Sequence, residues 1–289
     1  MGNDNFNDMK IPGEPLRSQS GNQPVQKRGA SKVVVVLVLV IVACLVGAGF
    51  GFYSMTKTAE QIDTVKNEQK VTPATPSEES SSASSQAAKE LVANPINFEE
   101  LKAQNEDVYA WLYIPGTQVS YAVVQHPTDN TFYLNHDETK AESVAGALFS
   151  EDYNTTDFQD AVTLIYGHNI ADDLMFASLH YFEDPAFFND NTKFYIYTPG
   201  HIYTYDIVSA FTTDDRHVLY RYNYFQTYDA LRSFEQEILD PHALVQNVRE
   251  TELNDSSKLV VLSTCNTGEF SENSRFLVCG VMIDDQPTE

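Results

Sequence analysis

The 289 residues are 42% apolar and 12% aromatic, enough to build a packed core, and they carry 18 Lys/Arg against 41 Asp/Glu. The resulting charge of −23 is uneven: residues 1–32 hold five basic and three acidic side chains, whereas residues 91–289 hold nine and 32. A body this acidic repels phosphate backbones, which argues against a nucleic-acid partner, while it tolerates amine-bearing ones.

The first strong pattern is Val33–Phe52, 20 consecutive residues without a charge. At about 1.5 Å per residue this run spans about 30 Å, the thickness of a bilayer's hydrocarbon core. The pattern predicts a transmembrane helix over 33–53. Lys27, Arg28 and Lys32 crowd its N-terminal side, which puts residues 1–32 in the cytoplasm and the rest outside. A cleaved signal peptide is the competing reading, but the run exceeds a usual apolar core and no clean A-x-A site follows it.

Residues 54–90 are polar and become low-complexity at TPATPSEESSSASSQAA, 72–88. Such a composition buries too little surface to fold and reads as an extracellular stalk. A catalytic domain is then expected over 91–289. It opens with Asn97 and Glu100 spaced as a capping box for a helix over Phe98–Gln104, with Leu101 on its inner face.

WLYIPGTQVSYAVVQ reads as two strands around a Pro115-Gly116 turn. Further strands are predicted at Ala147–Phe149, Ala161–Tyr166, Lys193–Thr198, Ile202–Phe211, Lys258–Thr264 and Arg275–Ile283. Helices are predicted at Asp172–Tyr181 and at Tyr228–Leu239, where Leu231, Phe234, Glu235 and Ile238 share one face. Many short strands with a few inserted helices suggest a mixed, mainly β barrel rather than a βαβ fold.

The three cysteines, Cys44, Cys265 and Cys279, form no CxxC pair and lack histidines at zinc spacing, so neither a disulfide framework nor a zinc site is expected. Cys265 ends the apolar run KLVVLSTC, and Arg275 opens the next one, RFLVCGVMI. Antiparallel pairing of the two would bring Arg275 beside Cys265, where a guanidinium favours a thiolate and can hold an oxyanion. Taken alone, Cys265 reads more readily as a core cysteine and Arg275 as a solvated strand end than as a catalytic pair. His168 adds a third element. It follows the apolar run AVTLIY and Gly167, which permits a sharp turn, and thiol chemistry needs a proton donor for the leaving amine. The other histidines, His126, His136, His180, His201, His217 and His242, lie in blander surroundings.

YGHN at 166–169, LSTC at 262–265 and an arginine ten residues after the cysteine resemble the active-site motifs of sortases, the Gram-positive transpeptidases. The resemblance runs from about Phe98 to Ile283. IPGTQVSYAVVQ, NTFYL at 130–134, FTTDDRHVLY and the helical insertion before the cysteine strand are similar to class B. Val261 stands where the family's motif usually has threonine, a change that bears on local packing more than on catalysis. The resemblance implies a closed barrel of about eight strands, N-terminal helices and a helix in the loop before the cysteine strand. It implies Cys265 as nucleophile, His168 as proton donor and acceptor, and Arg275 as the group that holds the substrate carbonyl. Asn130, Leu134, Ser263 and Thr264 are implied in the peptide groove, and Cys279 in packing.

The implied substrate is a sorting-signal peptide of NPQTN-like type. The implied acceptor is an amine of a peptidoglycan precursor or a pilin lysine, with hydrolysis by a plain cysteine peptidase as the alternative. No cofactor is implied. The acidic pairs Asp172-Asp173 and Asp214-Asp215 could hold calcium but lack a loop motif for it and read as solvated surface.

Overall fold

In the computed structural model, the residues that can be described are 91–266 and 273–289, with Pro73. The Val33–Phe52 run and most of the stalk lie outside them. Among the described residues no helix is long and apolar enough to cross a membrane.

Helix α1, Phe98–Gln104, starts where its cap requires: Asn97 Oδ1 accepts from the Glu100 N–H at 3.2 Å, satisfying one of the helix's orphan donors. The return arm of the box runs between side chains, Asn97 Nδ2 donating to Glu100 Oε2. Beyond it come β1 (Val108–Tyr113), β2 (Ser120–Val124), β3 (Leu148–Phe149), β4 (Val162–Tyr166), β5 (Lys193–Thr198), β6 (His201–Asp214), β7 (Gln246–Val248), β8 (Leu259–Cys265) and β9 (Ser274–Pro287). Helices α2 (Pro185–Asp190), α3 (Val218–Arg221) and α4 (Tyr228–Leu239) interrupt the series.

Strands run in the order β5-β1-β2-β3-β4-β8-β9-β6, and β6 pairs back onto β5, so eight strands close a barrel and leave no open edge. Strand β6 is 14 residues long and uses its two halves differently: its first half pairs with β5, while Ser209–Phe211 pair with the short β7. Two of the pairings, β2 with β3 and β4 with β8, are parallel.

Alternation sorts the side chains. Leu112, Ile196, Tyr205, Val260, Leu262, Phe276 and Val278 all point into one cluster, the barrel interior. The opposite faces of β4, β8 and β9, carrying Leu164, Val261, Leu277 and Cys279, are covered by Phe234 and Ile238 of α4 and by Val218 and Leu219 of α3. Val261 is fully buried there, opposite Cys279. Glu235 of α4 is also buried, paired with Arg232 at 2.7 Å. Continuing the same alternation along the strands, Tyr166, Ser263, Cys265 and Arg275 fall on this outer face, at the ends of their strands.

The predicted helix over Asp172–Tyr181 is not an α-helix. Two 3₁₀ turns, Ala171–Asp173 and Ala177–Glu183, stand there instead. Asp172, Asp173 and Met175 have left-handed backbone, Asn169 bridges to Met175, and the Phe176 N–H donates to the His168 carbonyl at 2.9 Å. Those tethers bend the chain back on itself and exclude a continuous i→i−4 ladder.

Candidate active site

Parallel strands β4 and β8 end side by side, with Tyr166 opposite Ser263, and antiparallel β8 and β9 set Cys265 opposite Arg275. The groove above these ends has a volume of about 310 Å³ and is lined by all seven residues singled out in the sequence: Asn130, Leu134, His168, Ser263, Thr264, Cys265 and Arg275. Two larger cavities, of about 440 Å³ beside Arg249 and about 370 Å³ under α1, contain neither cysteine nor histidine. Chemistry, rather than size, selects the groove.

Cys265 is half-buried with a free thiol, and Cys279 is fully buried on β9 four residues beyond Arg275, the residue opposite Cys265, too far in register to pair with it. Burial pushes the Cys279 thiol up to about 12. At pH 8 its thiolate fraction is therefore about 10⁻⁴, and iodoacetamide is expected to modify Cys265 but not Cys279 in the folded chain. Peptide mapping reads this directly; equal labelling before unfolding would contradict it.

Arg275 sits between Cys265 on β8 and Thr213 on β6. Its guanidinium Nη1 donates to the Ser274 carbonyl at 3.0 Å, and among the described residues it forms no ion pair. Arg275 lines the groove alongside Cys265 and His168, so its guanidinium is within the space a substrate would occupy.

His168 is oriented by the backbone: its Nε2 lies 2.7 Å from the Leu134 carbonyl and donates to it, which leaves Nδ1 for exchange with a ligand. Leu134 thus contributes its carbonyl to the histidine, while its side chain is exposed at the groove rim. Asn130 and Asp152 tie two loops together, Asn130 Nδ2 donating to Asp152 Oδ1 at 2.8 Å and the Asp152 N–H to Asn130 Oδ1 at 2.9 Å. Ser263 and Thr264 are both buried in the groove wall.

Gly167 turns out to matter for its size. Its φ is not in the left-handed region, but a methyl at its Cα would lie 2.4 Å from Leu148 Cδ2 and 2.7 Å from Phe176 Cδ2. Gly167→Ala is expected to cost about 1–3 kcal/mol of stability and to displace the adjoining His168, lowering activity at least roughly tenfold. Thermal unfolding and acylation rates test this; wild-type values in both would show the space to be dispensable.

The fold also brings in groups that sequence reading passed over. His217 Nε2 lies 2.6 Å from Glu151 Oε1 and 3.3 Å from the Tyr166 hydroxyl, all lining the groove. Burial, reinforced by the Glu151 charge, holds the Tyr166 phenol well above its ordinary range, so it remains a donor. Glu151 Oε2, His217 Nδ1 and Thr264 Oγ1 are buried without a partner among the described residues. His180 reaches the Cys265 carbonyl. Glu151 and His217 are 66 residues apart and His180 and Cys265 are 85 apart, so no local motif marks either pair.

Of the acidic pairs, Asp173 accepts from the Tyr181 hydroxyl at 2.6 Å and Asp214 pairs with Arg216 at 2.5 Å. Among the described residues no group of three or more His, Cys, Asp or Glu side chains could hold a metal.

The family model described as the sortase domain matches residues 112–283, a span that contains every groove residue named above. Sortase B of Listeria monocytogenes is 28% identical over 184 residues, covering 64% of this chain and 73% of that protein. The X-ray structure of Clostridium perfringens sortase B matches with a TM-score of 0.58 at 29% identity, over 65% of this chain and 100% of that one. A Streptococcus pyogenes class B sortase involved in pilus biogenesis matches at 0.56 and 30% identity, over 65% and 98%. Barrel, groove and family match together define a cysteine transpeptidase. The chain belongs to the sortase family, and its relatives place it in class B.

Proposed function

We propose that Cys265 is the nucleophile of a two-step acyl transfer. Its thiolate attacks the carbonyl at the scissile bond of a sorting-signal peptide of NPQTN-like type, and His168 gives a proton from Nδ1 to the departing amine. The amine of a peptidoglycan precursor then attacks the thioester, with His168 Nδ1 accepting its proton. Arg275 holds the carbonyl oxygen while it is an oxyanion. Asn130, Leu134, Ser263 and Thr264 form the walls that take the peptide, and Thr264 Oγ1, Glu151 Oε2 and His217 Nδ1, unpartnered among the described residues, suit a groove that receives polar chain.

The observation that carries this reading is the Cys265–Arg275 cross-strand pair in one groove with a histidine whose Nε2 is already committed to a backbone carbonyl. The domain at 91–289 acts outside the cell, anchored by a helix over 33–53 and spaced from the membrane by residues 54–90, with residues 1–32 in the cytoplasm. Attachment of surface proteins to the cell wall follows from that placement. Polymerisation of pilin subunits through a lysine is the second reading, supported by the likeness to the pilus-associated class B sortase.

The test is to incubate the chain with sorting-signal peptides, with and without amine acceptors, and separate the products. An amine-linked product supports transpeptidation. Hydrolysis that no amine diverts would make the chain a peptidase.

A further inference from the structure

The peptide unit after Cys265 is held from both sides, and one of the holders has no part in the chemistry proposed above. Parallel β4 and β8 exchange their last ladder bond when the Gly167 N–H donates to the Ser263 carbonyl at 3.2 Å. The next bond in that register would run from the Asn169 N–H to the Cys265 carbonyl. It is not made: the β4–β8 ladder ends at Tyr166 and Ser263, and Asn169 instead bridges Met175.

Side chains complete the ladder instead. Asn169 Nδ2 lies 3.2 Å from the Cys265 carbonyl oxygen and 3.2 Å from His180 Nε2, and His180 Nε2 lies 3.1 Å from the same oxygen. His180 is in turn held by Glu183, whose Oε1 is 2.5 Å from Nδ1. With both ring nitrogens protonated, His180 donates to both the carboxylate and the Cys265 carbonyl, and Asn169 Nδ2 then gives its proton to the same carbonyl rather than to the ring. Its ring stacks on Phe276, the neighbour of Arg275 in β9, with centroids 4.8 Å apart. On the far side of the peptide unit, the Asn266 N–H donates to the Ser274 carbonyl at 3.2 Å.

We propose that His180, clamped by Glu183, is a positioning residue for acyl transfer: by fixing the Cys265 carbonyl it sets the aim of the thiol relative to Arg275 and His168. This inference rests on Cys265 being the nucleophile. Without His180 the carbonyl keeps only the Asn169 Nδ2 contact at 3.2 Å, which leaves it freer to turn and rotate the thiol with it, and a displacement of about 1 Å at a reacting centre can cost roughly 100-fold in rate. The His180 side chain is only 11% exposed and is not among the groove-lining residues, so its effect on the chemistry passes through the Cys265 backbone.

The experiment measures acylation of the full-length chain by a sorting-signal peptide in His180→Ala, His180→Gln and Glu183→Gln, together with iodoacetamide labelling of Cys265 and thermal unfolding. His180→Ala is expected to lower kcat about 10- to 50-fold with KM within about twofold, because the lost contact orders the reacting group rather than binding peptide. Labelling by the small reagent, which needs no particular aim, stays within about threefold. His180→Gln, which can still donate to the carbonyl, recovers most of the rate, and Glu183→Gln falls between. Unchanged kcat in all three variants overturns the proposal, as does a loss in which rate, labelling and stability fall together and glutamine restores none of them. A wild-type chain that never acylates at Cys265 overturns both this inference and the nucleophile assignment; acylation that His180→Ala leaves intact overturns this inference alone.

Discussion

Replacing Cys265 by alanine is expected to remove acyl transfer altogether, a loss of at least about 10⁴-fold, since among the described residues no other thiol lines the groove to form the thioester. Cys279, the other described thiol, is buried under α4 and held protonated by that burial. The substitution should be almost silent in stability, within about 0.5 kcal/mol, because Cys265 is half-exposed at a strand end and its register with Arg275 depends on backbone bonds. Turnover of sorting-signal peptide and thermal unfolding, measured on one preparation, separate the two effects. Residual turnover within tenfold of wild type would remove Cys265 from the chemistry.

Arg275→Ala is expected to have the next largest effect, about 10²- to 10³-fold in the acylation rate, the size typical of losing one oxyanion donor. Arg275→Lys keeps the charge but not the planar fork, so it should recover about tenfold at most. The physical ground is the environment: Arg275 stands opposite Cys265 across the β8–β9 pair and lines the same groove. A solvated strand-end arginine predicts something different, namely alanine and lysine variants both within about threefold of wild type.

Where the sequence carried a strong period, it was legible. Lys193–Thr198 stands as the strand expected there, and Tyr228–Leu239 as the helix its spacing predicted. The Cys265–Arg275 pairing followed from two apolar runs joined by a short polar loop, and it is the register observed. Other boundaries lay in residues without apolar character. Strand β9 continues through Asp284 and Asp285 to Pro287, and β6 through Thr212 to Asp214, because pairing with each other satisfies their backbones. Strand β7 is three residues, Gln246–Val248, with no apolar pattern, and exists only because β6 outruns β5.

The site was legible as far as its chemistry sits at strand ends. Its supports were not, since they depend on which distant segments the barrel brings together. His180 looked like one histidine of a helix, and its role beside Cys265 arises from the 3₁₀ turn that replaces that helix. Glu151 and His217 come from the end of β3 and the loop after β6 and meet only over Tyr166. Gly167 illustrates a subtler gap: a glycine before the histidine suggested a sharp turn, while its actual constraint is the packing of Leu148 and Phe176 against its Cα.

The central claim is a thioester on Cys265, and intact-mass spectrometry tests it most directly. The full-length chain, mixed with a sorting-signal peptide, should gain the mass of the N-terminal peptide fragment on the tryptic peptide containing Cys265. That adduct should be released by hydroxylamine and consumed on adding an amine, with a matching amine-linked product. Peptide turnover with no adduct at Cys265, or with the adduct on another residue, would contradict the account.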